Sequence, residues 1–434
     1  MNMKKVFVST MSNTPKAVKR MFGLAFCVAA VALCACNNQP DTPGSGTIAD
    51  RMPKSAKRGV AFNFSVADDL PLLSDAISWD YNWGNDQNSL AATWMDEEGI
   101  EFCPMCWNSN YNADRIRAYV AAHPSTKYLL AFNEPNLKDQ ANMTPAKAAE
   151  FWSPVVALAK ERNLKLVSPA MNYGTVAGYS DPIKWLDEFF AQPNVSIEDI
   201  DAISIHCYMA SPQAVKNYIA MFEKYGKPIW LTEFCAWEEY AIHSAEDQMT
   251  YMCSMLNHLE QNTSVERYAW FIPRYKSGFP YMPLLTYSDP YTLTDAGKVY
   301  CGFSTFDKSV WLRTDKTVDA TQYIAVSSDD IQVRPSTDGE GLMLSTMKEN
   351  QYADYQIYLA AQSSSISIRY AAYGEADVAI WDDGDPIAVT TLPATTSMSK
   401  WATLDIPLSL EKGKHTLRIE VQSGVANIYW YKIN

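Results

Sequence analysis

Two glutamates at the ends of short apolar runs are the residues of this chain best suited to chemistry. The run Tyr128-Leu129-Leu130-Ala131-Phe132 stops at Asn133-Glu134-Pro135-Asn136, and Pro228-Ile229-Trp230-Leu231-Thr232 stops at Glu233-Phe234. An interior β-strand with a polar tip has that composition. Two carboxylates facing each other divide their labour, because mutual repulsion raises one pKa and leaves the other group ionised. Cleavage of a glycosidic bond with retention asks for that division. A carboxylic acid protonates the leaving oxygen while a carboxylate about 5–5.5 Å away attacks the anomeric carbon. Glu134 and Glu233 are therefore the candidate catalytic pair.

The elements that would hold them form a (β/α)8 barrel. Each βα unit of such a barrel takes about 31 residues and active sites lie at the C-terminal ends of its strands, so three units put about 93 residues between two strand tips. The glutamates are 99 residues apart, which fits strands four and seven. Strands are expected over Gly59–Phe64, Ile77–Trp83 and Glu101–Trp107, then at the two glutamate runs, and over Leu164–Ala170, Ala202–Tyr208 and Arg267–Pro273. Helices are expected over Asn112–His123, after Thr144-Pro145, and over Pro182–Ala191, Pro212–Tyr225 and Ser244–Gln261. Alternation along a strand assigns faces. Phe132 and Leu130 should share the face of Glu134, Leu231 and Ile229 that of Glu233, and Ser204 and Ala202 that of His206. Trp83, Trp107, Tyr173, Tyr208, Trp237 and Trp270 fall at or beyond strand ends, where sugar rings stack. The aromatic loop Arg274–Tyr291 is a candidate wall of the cleft.

Residues 1–36 read as a leader. Lys4, Lys5, Lys16, Lys19 and Arg20 precede an apolar run, Met21–Ala35, too short to span a bilayer comfortably. It closes on Leu33-Cys34-Ala35-Cys36, which resembles a bacterial lipobox with Cys36 as the lipidated residue. The expected location is the bacterial cell envelope, lipid-anchored at the outer membrane or cell surface, with residues 37–57 as a flexible tether. Residues 58–306 would be the barrel domain and 307–434 a second domain. Its short alternating runs, such as Ala353–Leu359 and His415–Val421, predict an all-β sandwich of the jelly-roll type. A net charge of −13 without a Lys/Arg cluster in the mature part argues against nucleic acid as a partner and is compatible with neutral polysaccharide. Of nine cysteines, Cys27 and Cys34 leave with the leader, Cys36 is the anchor, and six remain. Cys103 and Cys106 have metal or redox spacing, but nothing completes a four-ligand set, so they read as packing residues. No metal site and no cofactor are expected, and the chain is expected to be a monomer.

Asn133-Glu134-Pro135, His206-Cys207-Tyr208 and Leu231-Thr232-Glu233-Phe234 resemble clan A glycoside hydrolases, most closely glycoside hydrolase family 128, over Arg58 to about Phe306. The resemblance implies a retaining endo-β-1,3-glucanase. Glu134 matches the acid/base, Glu233 the nucleophile, and Asn133 the amide that contacts the sugar 2-hydroxyl. Asp319 to Tyr323, Arg369-Tyr370-Ala371 and Asn427-Ile428-Tyr429-Trp430 are similar to carbohydrate-binding module family 6. Trp401 and Asn427 match positions that contact sugar in that family. Thr321 and Tyr429 stand where it has calcium-binding carboxylates. The alternatives are a clan A hydrolase acting on another β-glycan and a non-catalytic surface glycan-binding protein. Retention of both carboxylates discriminates against the second.

Overall fold

Among the described residues, eight short parallel strands lie between residues 58 and 270. A computed structural model describes residues 46–434 apart from residue 277; the leader, Cys36 and the first part of the tether lie outside the described residues. After β1 (Thr47–Ala49) come β2 (Arg58–Ala61), β3 (Trp79–Tyr81), β4 (Glu101–Phe102), β5 (Tyr128–Leu130), β6 (Lys165–Val167), β7 (Ile203–Cys207), β8 (Ile229–Phe234) and β9 (Val265–Trp270). Strands β2 to β9 stand where the apolar runs predict them, and most stop short of the polar tips. β7 and β8 are buried along their whole length, as expected of parallel strands covered on both faces.

The ladder order is β4-β3-β2-β9-β8-β7, with β5 and β6 paired separately. Isolated parallel bridges, Met105 to Leu130 and Val167 to Ala202, stand on either side of that pair. This half of the molecule is an α/β domain with its parallel strands in two hydrogen-bonded sets. The helix after Thr144 starts as expected, with the Thr144 hydroxyl accepting from Lys147 N at 3.2 Å, but breaks at Phe151 into Pro145–Glu150 and Trp152–Glu161. Three short helices have no counterpart in the sequence reading: Asp69–Leu73, Ser89–Glu97 and Asp295–Gly302. No helix among the described residues is long and apolar enough to cross a membrane.

Trp79, Tyr81, Cys103, Met105, Tyr128, Leu130, Ala202, Trp230 and Ala269 form one apolar cluster enclosed by these strands. The strands' other faces meet the helices in a second, larger cluster. The Arg267 guanidinium lies 4.5 Å from the ring centre of Trp230, 4.6 Å from that of Tyr128 and 5.5 Å from that of Trp79. It also donates to Glu101 at 2.7 Å, so this cation is paired as well as stacked. An aromatic floor with a satisfied charge lies below the strand tips.

The second half is all-β. One sheet runs β1-β10 (Val310–Arg313)-β15 (Gln351–Leu359)-β20 (Gly413–Ser423)-β17 (Ala376–Asp382)-β18 (Asp385–Leu392). The other runs β13 (Gln332–Pro335)-β14 (Leu342–Lys348)-β21 (Val425–Ile433)-β16 (Ser363–Ala371)-β19 (Ala402–Leu410), and two short strands, β11 (Val318–Asp319) and β12 (Ala325–Val326), pair with β21 and β15. The expectation of a flexible tether over 37–57 needs correction at its C-terminal end. Thr47, Ile48 and Ala49 pair in parallel with Val310, Trp311 and Leu312, and Met52 is buried with its N–H on Gln322 Oε1 at 2.8 Å. Composition marks this stretch as mobile, but an open edge strand far along the chain offers it backbone partners.

The two halves are joined by buried polar contacts. Asn257, on the Ala245–Gln261 helix, donates to the carbonyls of Asp329 and Ile331 at 3.1 and 3.0 Å and accepts from the Tyr323 hydroxyl at 3.0 Å. Arg334 reaches back to Glu246 and Thr250 at 2.7 and 2.8 Å.

Candidate active site

Glu233 reaches the strand mouth because β8 carries an extra residue. Against β7, Ile205 faces Leu231 but the next residue, His206, faces Glu233. Against β9, Leu231 faces Tyr268 and Phe234 faces Trp270, so three steps on β8 match two on its neighbour. Thr232 is the bulged residue, and a bulge re-aims the side chains beyond it. Leu231 and Ile229 consequently belong to the helix-facing cluster and Trp230 to the inner one, opposite to the faces that plain alternation assigns. A similar correction applies at Glu134. Leu130 is inside as expected, but the β5 ladder ends there and Phe132 turns outward, its ring 6.1 Å from that of Trp152. Glu134 itself has φ 41°, a left-handed conformation that re-aims its side chain. On β7 alternation holds, with Ala202 in the inner cluster and Ile203, Ile205 and Cys207 in the outer.

Both carboxylates are only 4% exposed and His206 is fully buried. One oxygen of each glutamate and a ring nitrogen of His206 all lie within 4.8 Å of one another. Glu233 Oε1 accepts from the Tyr81 hydroxyl and from Trp83 Nε1, each at 2.7 Å, and Oε2 accepts from the Tyr208 hydroxyl. Burial and the adjacent Glu233 hold both phenols well above their ordinary range, so they remain donors. Glu134 Oε1 accepts from Asn172 Nδ2 at 3.0 Å. His206 Nδ1 lies 3.0 Å from Glu134 Oε1 and 3.4 Å from Glu233 Oε2. With an acceptor on each side, Nδ1 must carry hydrogen, whereas Nε2 is buried without a partner. Burial lowers the imidazole pKa, but Glu233 and Glu134 raise it by more, and the net shift is upward. The Glu233 carboxyl is also raised, first by burial, with Glu134 adding and His206, Tyr208 and Trp83 opposing.

The other predicted residues are placed unequally. Trp83 is a hydrogen-bond donor to Glu233 rather than only a stacking surface. Trp107 packs against the inner cluster at the mouth, and Asn133 N donates to its carbonyl at 2.9 Å. Asn133 is buried, with Nδ2 on Gln140 at 3.3 Å and Oδ1 without a partner. Trp237 stands 6.0 Å from Tyr208 and 5.9 Å from Tyr275, which brings the aromatic loop to the rim. Tyr173 is half exposed and leans on Tyr218.

Trp270 does not belong to the site. It is fully buried in the outer layer between Phe234 and Tyr300, with Nε1 on the Met282 carbonyl at 2.8 Å. Phe271, one residue on, takes the mouth position against Trp83, Tyr208 and Trp237. Sequence reasoning missed Tyr81, Asn172 and Phe271. The alternation Trp79-Tyr81-Trp83 was a usable signal for the first; Asn172 lies in a loop that no periodicity reaches.

In the second half, Trp401 Nε1 donates to the Thr337 hydroxyl at 2.9 Å and its ring meets Tyr429 edge-on at 5.8 Å. Asn427 is engaged by the backbone at both ends of its amide. Its Oδ1 accepts from Thr346 N at 2.7 Å and its Nδ2 donates to the Met398 carbonyl at 2.8 Å, in a buried setting.

By donor spacing alone, two groups of side chains among the described residues could hold a metal: Glu134, His206 and Glu233, and Asp382, Asp383 and His415. In the first, the ring nitrogen between the carboxylates carries hydrogen and the Glu233 oxygens already accept three donors. In the second, His415 Nδ1 is 3.0 Å from both Asp382 oxygens and Nε2 is 2.8 Å from the Glu411 carbonyl. Both histidines act as hydrogen-bonding bridges. The six cysteines at 103, 106, 207, 235, 253 and 301 are free thiols, five of them buried; burial raises the Cys207 thiol to about 12, which suits packing rather than redox work.

A buried pair of strand-tip carboxylates served by phenol, indole, imidazole and amide donors is suited to hydrolysis. Residues 59–300 match the glycosyl hydrolase catalytic core family, and residues 319–434 match carbohydrate binding module family 6. A subgroup II family 128 endo-β-1,3-glucanase from Pseudomonas viridiflava is 38% identical, over 57% of this chain and 98% of that one, with a TM-score of 0.53. The chain belongs to glycoside hydrolase family 128. It is a glycoside hydrolase with a family 6 carbohydrate-binding module at its C-terminus. A second subgroup II endo-β-1,3-glucanase, from Sorangium cellulosum, is 32% identical over 56% of this chain and 97% of that one, with a TM-score of 0.51. Alkali-sensitive linkage protein 1 of Schizosaccharomyces pombe is 27% identical over 237 residues, 52% of this chain; the match spans only 40% of that relative's length.

Proposed function

We propose that this family 128 chain is a retaining endo-β-1,3-glucanase, with Glu134 as acid/base and Glu233 as nucleophile, on a (β/α)8 barrel, a reading supported by the isolated bridges Met105 to Leu130 and Val167 to Ala202 beside β5 and β6. The relatives' β-1,3-glucanase activity supports the substrate class. The observation that carries the mechanism is the approach of the two carboxylates. An oxygen of one lies within 4.8 Å of an oxygen of the other, an approach compatible with the spacing of about 5–5.5 Å between the carboxyl groups of retaining pairs.

The donors divide the roles. Tyr81, Trp83 and Tyr208 are neutral donors converging on Glu233, and such donors favour its ionised form. Glu233 attacks the anomeric carbon while the bond to the leaving oxygen breaks and that oxygen takes the Glu134 proton. Water then attacks the glycosyl ester, gives its proton to Glu134 and frees Glu233. His206 lies between both carboxylates, its Nδ1 3.0 Å from Glu134 Oε1 and 3.4 Å from Glu233 Oε2, and takes no part in bond making. The lipid anchor at Cys36 and the cell-envelope location remain part of the proposal, with β-glucan as partner.

Product analysis on laminarin tests this reading. The β-anomer should form first, and Glu233→Gln should abolish turnover while leaving oligosaccharide binding intact. Release of the α-anomer would overturn the mechanism.

A further inference from the structure

We propose that Asn172 is a positioning residue for the general acid, directing the proton of Glu134 to Oε2 by saturating Oε1. This rests on the acid/base role given to Glu134 above. A carboxyl oxygen offers two lone pairs. Those of Oε1 are taken by Asn172 Nδ2 and His206 Nδ1, each at 3.0 Å. The proton of the acid form therefore resides on Oε2, and Oε2 is the atom that meets the leaving oxygen in the first step and takes the water proton in the second.

The orientation of the Asn172 amide is settled by its other end. Its Oδ1 accepts from the backbone N–H of Tyr173 at 2.8 Å, so the NH2 group must be the end turned to Glu134. The loop that carries it is fastened to the acid's own motif. Asn136, two residues after Glu134 and fully buried, donates through Nδ2 to the Asn172 carbonyl, and its own carbonyl accepts from Thr175 and Val176 N–H at 2.9 Å each. Gly174 makes the approach possible: a Cβ there would stand 2.1 Å from the Tyr179 carbonyl and 2.7 Å from Asn136. In Asn133-Glu134-Pro135-Asn136 the last residue thus holds the loop whose amide aims the carboxyl of the second.

Leaving-group dependence tests this in the full chain. Aryl β-laminaribiosides with 2,4-dinitrophenol, which leaves without protonation, and with 4-methoxyphenol, which does not, are compared for Asn172→Ala, Asn172→Ser and Glu134→Ala. The serine keeps an oxygen for the Tyr173 N–H but cannot reach Glu134, so it decides the matter if the alanine variant folds poorly. Loss of aim at the acid should lower kcat/KM for the methoxyphenyl substrate about tenfold or more and change the dinitrophenyl rate by less than about threefold. Equal losses on both substrates, or none on either, would overturn the role of Asn172. If Glu134→Ala itself shows no leaving-group dependence, the acid/base reading fails, and with it this one.

Discussion

At the scale of single residues, the proposed nucleophile Glu233 gives an expectation for the pH range of activity. Burial holds the Glu233 carboxyl above the ordinary glutamate value of 4.5, with Glu134 adding to the shift. Attack needs the ionised form, so activity is lost as pH falls through that raised value, and the acid limb of the kcat/KM profile should lie above pH 4.5. Removing the Tyr81 hydroxyl withdraws a donor from the anion. A hydrogen bond to a charged group contributes about 1.5–3 kcal/mol, so Tyr81→Phe should lower kcat/KM about tenfold or more and move the acid limb further up. An unchanged profile would show that Tyr81 only fills space.

At the scale of elements, the Ala245–Gln261 helix serves both halves. Its Asn257 satisfies two carbonyls and one hydroxyl of the segment 323–331 in a buried setting. Leaving buried polar groups without partners costs about 1–3 kcal/mol each, less where water enters. Asn257→Ala should therefore lower stability by about 2–4 kcal/mol in denaturant unfolding, with kcat on short oligosaccharides nearly unchanged below the transition. A loss under 0.5 kcal/mol, the range of neutral surface changes, would show that the junction is solvated.

At the scale of the molecule, two separable contributions are expected of the module. Binding polymer raises effective concentration without entering the transition state, and Trp401→Ala should slow hydrolysis of insoluble glucan while sparing short oligosaccharides. Loss on both would place Trp401 in folding. Removing the whole module is a different experiment. Tyr323 packs on Phe303 and Phe306, and Ser304 donates to the Tyr323 carbonyl, so a chain ending at Phe306 exposes apolar surface and strands Asn257. It should be less stable and less soluble than the full chain, measured by thermal unfolding.

How much of this was legible beforehand follows from the range of the forces involved. Apolar runs bounded by polar tips are local, and they located eight strands, the two glutamates, His206 and the all-β second half. The same alternation failed at Ile229, Leu231 and Phe132, because a bulge at Thr232 and the early end of β5 depend on pairing with neighbouring strands. Trp270 and Phe271 exchange roles for a related reason: which of two adjacent aromatics faces the mouth is decided by strand register, not by residue type. Asn172, the backbone partners of the Asn427 amide and the pairing of Thr47–Ala49 were beyond reach. Each is determined by a partner distant in sequence, and only the folded chain brings that partner within hydrogen-bonding distance.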